Sequence, residues 1–217
     1  MFAVVFDMDG VIVDNGEFHY LAWKKFCYKH QVPFSKENFR KTFFGRVNEQ
    51  VLPILFNKEL TKDEIQKLGN EKEKIYREIY KPELKPVPGL VSFLNELKKN
   101  NIPVAVATSA SPENVDFVLN GLNIKCYFDV IVDDSMVIKG KPDPEIYLKA
   151  TQLLKKAPEN CIVFEDSLSG TKAALDAGAR VVAITTSLKA DEHKYAEHIF
   201  SDFSEISLNF ICTEIFN

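Results

Sequence analysis

Two aspartates stand two residues apart where an apolar run stops. Phe2-Ala3-Val4-Val5-Phe6 leads directly into Asp7-Met8-Asp9-Gly10-Val11. A run that is apolar at every position, rather than alternating, suits a central parallel strand buried on both faces. In an open α/β sheet the carboxyl ends of the strands form the ligand crevice. Two anions held together there require a cation or a shared proton. A hard cation such as Mg²⁺ prefers carboxylate and carbonyl oxygens. One carboxylate of the pair could attack a phosphoryl group while the other handles a proton. Gly10 would let the backbone turn sharply beside the metal. The plain alternative is an acidic turn after a strand.

Three further segments extend the pattern. Cys161-Ile162-Val163-Phe164 ends in Glu165-Asp166-Ser167, a second buried strand closing on adjacent carboxylates. One acid can ligate a metal directly while its neighbour acts through water or supports the ligand. Unpaired acids clustered in a crevice are costly, which argues against a purely structural role. Val104-Ala105-Val106-Ala107 ends in Thr108-Ser109 just before a predicted helix. A hydroxyl with the free N–H groups of a helix N-terminus can cradle phosphate, or Thr108 and Ser109 can be ordinary capping residues. Lys139-Gly140-Lys141-Pro142-Asp143-Pro144 offers a rigid approach that could hold Lys141 in the crevice. There it would neutralise phosphate oxygens and orient the attacking carboxylate. Lys139 is expected to be solvated.

The elements that must position these residues are legible in the spacing. Short apolar runs recur at 103–107, 129–132, 161–164 and 180–184. Helical periodicity fills 90–99, 112–122, 144–154 and 168–177, with Ser111 as N-cap of the second and Gly178 past the end of the last. Strands alternating with such helices predict a doubly wound, Rossmann-like parallel α/β sheet. Residues 15–85 break the pattern and show only helical spacing, at 17–30, 36–42, 47–56 and 62–80. The expected organisation is a core of residues 1–14 and 86–217, with residues 15–85 inserted as an all-helical lid. The insert carries fifteen basic and ten acidic residues, a net of +5. The remainder carries twelve and twenty-one, a net of −9. A basic lid over an acidic core suits an anionic substrate beside a carboxylate-bound metal. Solvated lysine-rich faces would give the same split.

Composition bounds the rest. The 217 residues are 46% hydrophobic and 27% charged, with a net charge of −4. This is a globular composition, large enough to bury a core without staples. Mild acidity argues against a nucleic-acid binder. No apolar run approaches the ~20 residues of a membrane span, and the first residues lack the basic flank of a signal peptide. Cys27, Cys126, Cys161 and Cys212 are far apart and do not fall at zinc-ligand spacing with the histidines. Reduced, mostly buried thiols in a cytoplasmic protein are expected.

Taken in order, the four segments resemble the motifs of the haloacid dehalogenase superfamily of phosphotransferases, and the likeness covers nearly the whole chain. The segment Asp7 to Val11 resembles the first motif, Thr108 the second, Lys141 the third and Glu165-Asp166 the fourth. The insert is similar to the family's C1-type cap, and 9–15 and 17–23 with 140–147 resemble the β-phosphoglucomutase-like phosphatases. The resemblance implies Asp7 as the nucleophile forming an aspartyl-phosphate and Asp9 as general acid, then base. It implies Mg²⁺ held by Asp7, the Asp9 carbonyl and Asp166, with Glu165 assisting. Thr108, Ser109 and Lys141 would hold the phosphoryl group.

In the cap, His19 lies one helical turn after Asp14-Asn15-Gly16, a position suited to substrate and equally to capping. Phe44-Gly45-Arg46-Val47-Asn48-Glu49 resembles the loop that reaches toward the core site. β-Phosphoglucomutases tend to carry an arginine at the position of Asn48, for the second phosphate of their substrate. Arg46 could replace it only with a different loop geometry. Lys72 or Lys74 could add a cationic contact or be solvated. The expected activity is Mg²⁺-dependent hydrolysis of a small phosphorylated metabolite, a sugar phosphate, by a monomer without nucleic-acid or membrane partners. The alternatives are a β-phosphoglucomutase and, disfavoured by the lid and by Asp9, a phospho-acceptor signalling domain. No G-x-x-x-x-G-K-[ST] loop is present, which argues against a nucleotide kinase.

Overall fold

A computed structural model describes residues 2–39 and 46–216, the side chain of Asn38 excepted. In chain order the elements are β1 (Ala3–Phe6), α1 (Gly16–Lys29), α2 (Lys36–Asn38), α3 (Asn48–Phe56), α4 (Lys62–Tyr80), α5 (Leu90–Lys99), β2 (Val104–Ala107), α6 (Pro112–Gly121), β3 (Val130–Val132), α7 (Glu145–Leu153), β4 (Cys161–Glu165), α8 (Leu168–Asp176), β5 (Arg180–Ile184) and β6 (His198–Phe200). The chain divides into two units, Met1–Asp14 with Leu84–Asn217, and Asn15–Glu83. No helix among the described residues is long and apolar enough to cross a membrane.

The first unit is built on a parallel sheet of order β3-β2-β1-β4-β5-β6. Its strands are the apolar runs because both faces are covered. All four residues of β1 and of β2 and all five of β4 are buried. On one face Ala3, Val5, Ala105, Ala107 and Val163 pack with Ile146, Tyr147 and Ala150 of α7 and Ala173 and Ala174 of α8. Small residues there let the helices approach closely. The other face is aromatic. Phe6 stacks on Phe164 at 5.2 Å, and Phe93 of α5 and Phe203 close on both rings at 5.1–6.1 Å.

Strand β6 is absent from the sequence reading. It has three half-buried residues at the sheet edge and starts on a histidine, so it presents neither a continuous apolar run nor a resolvable alternation. Ser111 occupies the N-cap of α6, but its side chain makes no capping bond there. Gly178 follows the C-cap of α8 at φ 86°, as a C′ glycine should.

In the helical unit α1 buries Ala22, Trp23, Phe26 and Cys27. Helix α4 buries Lys72, Ile75, Tyr76 and Tyr80, and the two helices pack through Phe18–Tyr80 at 4.4 Å and His19–Tyr76 at 4.0 Å. Helix α4 starts on a full capping box, with Thr61 accepting from the Glu64 N–H and Glu64 accepting from the Thr61 N–H. Of the helix expected at 36–42 the described part is α2, and residues 40–42 lie outside the described residues. The expectation of mostly buried thiols holds for half of them. Cys27 and Cys161 are buried and pushed up to about 11 by that burial, whereas Cys126 and Cys212 are exposed.

Candidate active site

Strand β1 lies at the switch point of the sheet, with β2 on one side and β4 on the other. That is where open α/β sheets form their crevice. The register does the positioning. Phe6 pairs with Phe164 and with Val106, so Asp7 emerges beside Glu165-Asp166 and one residue short of Thr108. The Asp7 N–H is held by the Phe164 carbonyl at 3.0 Å, and the Thr108 N–H by the Val132 carbonyl at 3.0 Å.

One carboxylate oxygen from each of Asp7, Glu165 and Asp166 lies within 4.8 Å of the other two, and all three residues are buried. Lys141, from the loop between β3 and α7, reaches into the group. Its Nζ is 2.9 Å from Asp7 Oδ1 and 2.6 Å from Glu165 Oε1, and it lies 4.8 Å from the centre of the Tyr147 ring. Lys139 is exposed and pairs with Asp143 at 3.6 Å.

The three carboxylates are not equivalent. Glu165 is fully engaged. Its Oε1 accepts from Lys141 and from the Tyr147 hydroxyl at 2.8 Å, and its Oε2 accepts from the Asp166 N–H, the Ser167 N–H and the Ser167 hydroxyl, each at 2.9 Å. Burial works against its charge, but Lys141 and these donors hold it below the usual carboxylate range. Burial pushes Asp7 up to about 7 against the pull of Lys141, with Glu165 and Asp9 adding repulsion. Burial, then Glu165 and Asp7, pushes Asp166 well above its ordinary value. These groups resist ionisation together unless a cation joins them. The donors are all hard oxygens, so the cluster can hold a metal ion. Glycines make its closeness possible. A methyl on Gly10 (φ 81°) would overlap the Asp166 carboxylate, and one on Gly170 would overlap that of Glu165.

The remaining sequence candidates fall around this cluster. Asp9 is half-buried and its carboxylate is outside the three-acid group, although its charge is felt at Asp7. It sits in a tight loop in which the Gly10 N–H donates to the Val13 carbonyl at 2.7 Å and the Ile12 N–H to the Met8 carbonyl at 2.8 Å. Thr108 is buried, and its Oγ1 accepts from the Ala110 N–H at 3.1 Å. Its own hydroxyl proton is left to donate. Ser109 is half-buried beside it.

The helical unit holds its own polar cluster. Lys72 is 3% exposed. Its Nζ lies 2.8 Å from His19 Nδ1 and 2.9 Å from Glu73 Oε1, over the rings of Trp23 and Tyr76. Asn48 donates to Glu73 Oε1 at 3.0 Å, and Asn15 donates to the Tyr76 hydroxyl at 2.7 Å. Of the two lysines considered, Lys72 is the buried one and Lys74 is exposed. Arg46 is exposed. Phe44 and Gly45 of the same loop lie outside the described residues.

Four site residues escaped the sequence reading. Tyr147 has the spacing of a core residue on α7. Ser167 directly follows the fourth motif. Thr186 and Ser187 follow β5, with the Thr186 hydroxyl donating to the Gly10 carbonyl and the Ser187 hydroxyl to Asp166 Oδ2. The rule that found Thr108, inspection of the residues after each buried strand, would have found both had it been applied to β5.

Known proteins resemble this chain in sequence and in fold. The family model for haloacid dehalogenase-like hydrolase matches residues 1–178. A phosphorylated carbohydrates phosphatase of Thermotoga maritima is 35% identical over 193 residues, covering 87% of each chain. The β-phosphoglucomutase of Bacillus subtilis is 35% identical over 191 residues, covering 85% of this chain and 83% of its own. A crystal structure of a family IA, variant 3 HAD hydrolase from Entamoeba histolytica superposes with a TM-score of 0.90 at 33% identity over 96% of each chain. With its parallel sheet, its carboxylates at the switch point and relatives that match over most of its length, the chain belongs to the haloacid dehalogenase-like hydrolases, in the branch of phosphatases and phosphoglucomutases.

Proposed function

We propose that this chain is a Mg²⁺-dependent phosphatase that hydrolyses a small sugar phosphate through an aspartyl-phosphate on Asp7. The observation that carries the reading is Lys141, held between Asp7 and Glu165 beside Asp166. An ammonium in that place favours the ionised form of Asp7 against the push of burial and neutralises the oxygens of an incoming phosphoryl group. An Asp7 oxygen attacks phosphorus in line with the departing sugar oxygen, and Asp9 protonates that oxygen as the P–O bond breaks. Asp9 then takes a proton from water, which attacks the aspartyl-phosphate and returns Asp7 with inorganic phosphate. The Thr108 hydroxyl and Ser109 orient the phosphoryl oxygens. Mg²⁺ held by Asp7, Asp166 and the Asp9 carbonyl, with Glu165 assisting, would supply further charge neutralisation.

The helical unit is assigned the role of the cap that selects the substrate, with His19, Lys72, Arg46 and Asn48 as its polar groups. Asn48, engaged with Glu73, favours a monophosphate over the bisphosphate intermediate of a mutase. The chain is read as a monomer working in the cytoplasm.

The test is a panel of phosphorylated metabolites, pyrophosphate included, scored for phosphate release with Mg²⁺. Release from sugar monophosphates that EDTA abolishes and excess Mg²⁺ restores is expected. Isomerisation of β-glucose 1-phosphate with little phosphate released would make the chain a mutase instead. Full activity in EDTA would remove the metal from the mechanism.

A further inference from the structure

Of the three clustered carboxylates, Asp7 and Glu165 are bonded to Lys141. Asp166 is held differently, by the Ser187 hydroxyl on its Oδ2. The preceding residue, Thr186, donates its hydroxyl to the Gly10 carbonyl. Two consecutive side chains at the exit of β5 therefore grip two separate loops, the one after β1 that carries Asp9 and the one after β4 that carries Asp166. Their place is set by register, since β5 pairs directly with β4 and Glu165 stands opposite Ala183. The Thr185 N–H is fixed in turn by the Phe200 carbonyl at 2.9 Å.

We infer that Thr186-Ser187 is the positioning element of the metal site, with Ser187 as the residue that orients the Asp166 carboxylate toward a bound Mg²⁺. The inference rests on the reading of the carboxylate cluster given above. A carboxylate that turns freely about its Cα–Cβ and Cβ–Cγ bonds presents an oxygen to the metal only part of the time. A hydroxyl bonded to Oδ2 selects one orientation and leaves Oδ1 to ligate. Loss of a group that orients a metal ligand typically weakens metal binding by about 10- to 100-fold. Thr186 acts on the same site through the adjoining loop, since the carbonyl it holds belongs to the residue after Asp9.

The test is Mg²⁺ binding by calorimetry, without substrate, to the full chain and to its Ser187→Ala and Ser187→Thr variants, with melting temperatures recorded in EDTA. The expected result is a Mg²⁺ Kd at least about tenfold higher for Ser187→Ala, an EDTA melting temperature close to the parent's, and recovery in Ser187→Thr, which keeps the hydroxyl. An unchanged Kd in Ser187→Ala overturns the inference and leaves the metal site standing. So does a Kd that stays raised in Ser187→Thr, because the effect then follows packing and not the hydroxyl. If the parent itself binds no Mg²⁺, the carboxylate reading is overturned and this inference with it.

Discussion

The two units each bury a cluster of charged and polar side chains, and the clusters are balanced differently. In the sheet unit three buried carboxylates cluster, two of them bonded to the Lys141 ammonium, and burial lifts Asp7 and Asp166 above the usual range. In the helical unit the buried Lys72 ammonium meets the Glu73 carboxylate, the His19 imidazole and two aromatic faces. An excess of like charge has a purpose only when something arrives to cancel it. A matched set completes itself. In the proposed function the first cluster receives a cation and a phosphoryl group, at a cost in stability. The second holds two helices in register while presenting polar atoms.

The largest effect expected from breaking this contrast is at Asp7. Asp7→Asn removes the proposed nucleophile and should lower phosphate release by roughly 10⁴-fold or more, the scale seen when a nucleophile is deleted. The same change removes one negative charge from a crowded cluster. In EDTA the variant should melt at or above the parent temperature. A variant that is both active and less stable would reverse the comparison. Lys72→Met should do the opposite. It leaves the half-buried Glu73 without its ammonium, with Asn48 still donating to it, and should cost about 1–3 kcal/mol, read as a fall in denaturation midpoint, while phosphate release at saturating substrate falls far less than in Asp7→Asn. Lys72→Met/Glu73→Gln should recover part of the loss, since removing both charges is milder than stranding one. If the double variant is less stable than the single, the cluster is not a matched pair.

Much of the sheet unit is visible in the sequence because burial on both faces forces continuous apolar runs, and the chemistry sits where those runs stop. Asp7, Thr108 and Glu165-Asp166 are found by that rule alone. Lys141 needs its prolines as a signal, since a lysine by itself says nothing of burial. Tyr147 is hidden because Ile146, Tyr147 and Ala150 read together as one apolar face, and nothing in spacing tells that the hydroxyl reaches Glu165. In the helical unit the spacing locates α4 at its observed ends, yet Lys72 looks no different in type from the exposed Lys74. The clue is its four-residue spacing from Tyr76 and Tyr80, which puts it on the buried stripe of α4. The pairing of Asn48 with Glu73 joins α3 to α4 and leaves no trace in either segment.

A smaller effect tests how closely the sheet cluster is built. Gly170 lies inside α8, where replacement of glycine by alanine ordinarily stabilises a helix by about 1 kcal/mol. Here the added methyl would overlap the Glu165 carboxylate. The forced shift should cost roughly 1–3 kcal/mol, as overpacking does, and should reverse the propensity gain. Because Glu165 also holds Lys141 and the Ser167 turn, Gly170→Ala should raise the Mg²⁺ requirement for phosphate release along with lowering the melting temperature. A gain in stability would mean that the carboxylate has room to retreat.

The smallest effect belongs to the helical unit and isolates stability from chemistry. Thr61 and Glu64 form a reciprocal cap at the start of α4 and are exposed. Thr61→Ala removes the acceptor for the Glu64 N–H and should cost about 1 kcal/mol. Helix α4 carries Lys72, Tyr76 and its last residue Tyr80 more than two turns from the cap, so fraying of the first turn should leave their packing intact. Turnover and the substrate KM should then match the parent at temperatures where both are folded, with only the denaturation midpoint lowered. A change in KM at unchanged fold would show that the start of α4 is coupled to substrate selection, and the matched cluster would then be a responsive part of the enzyme.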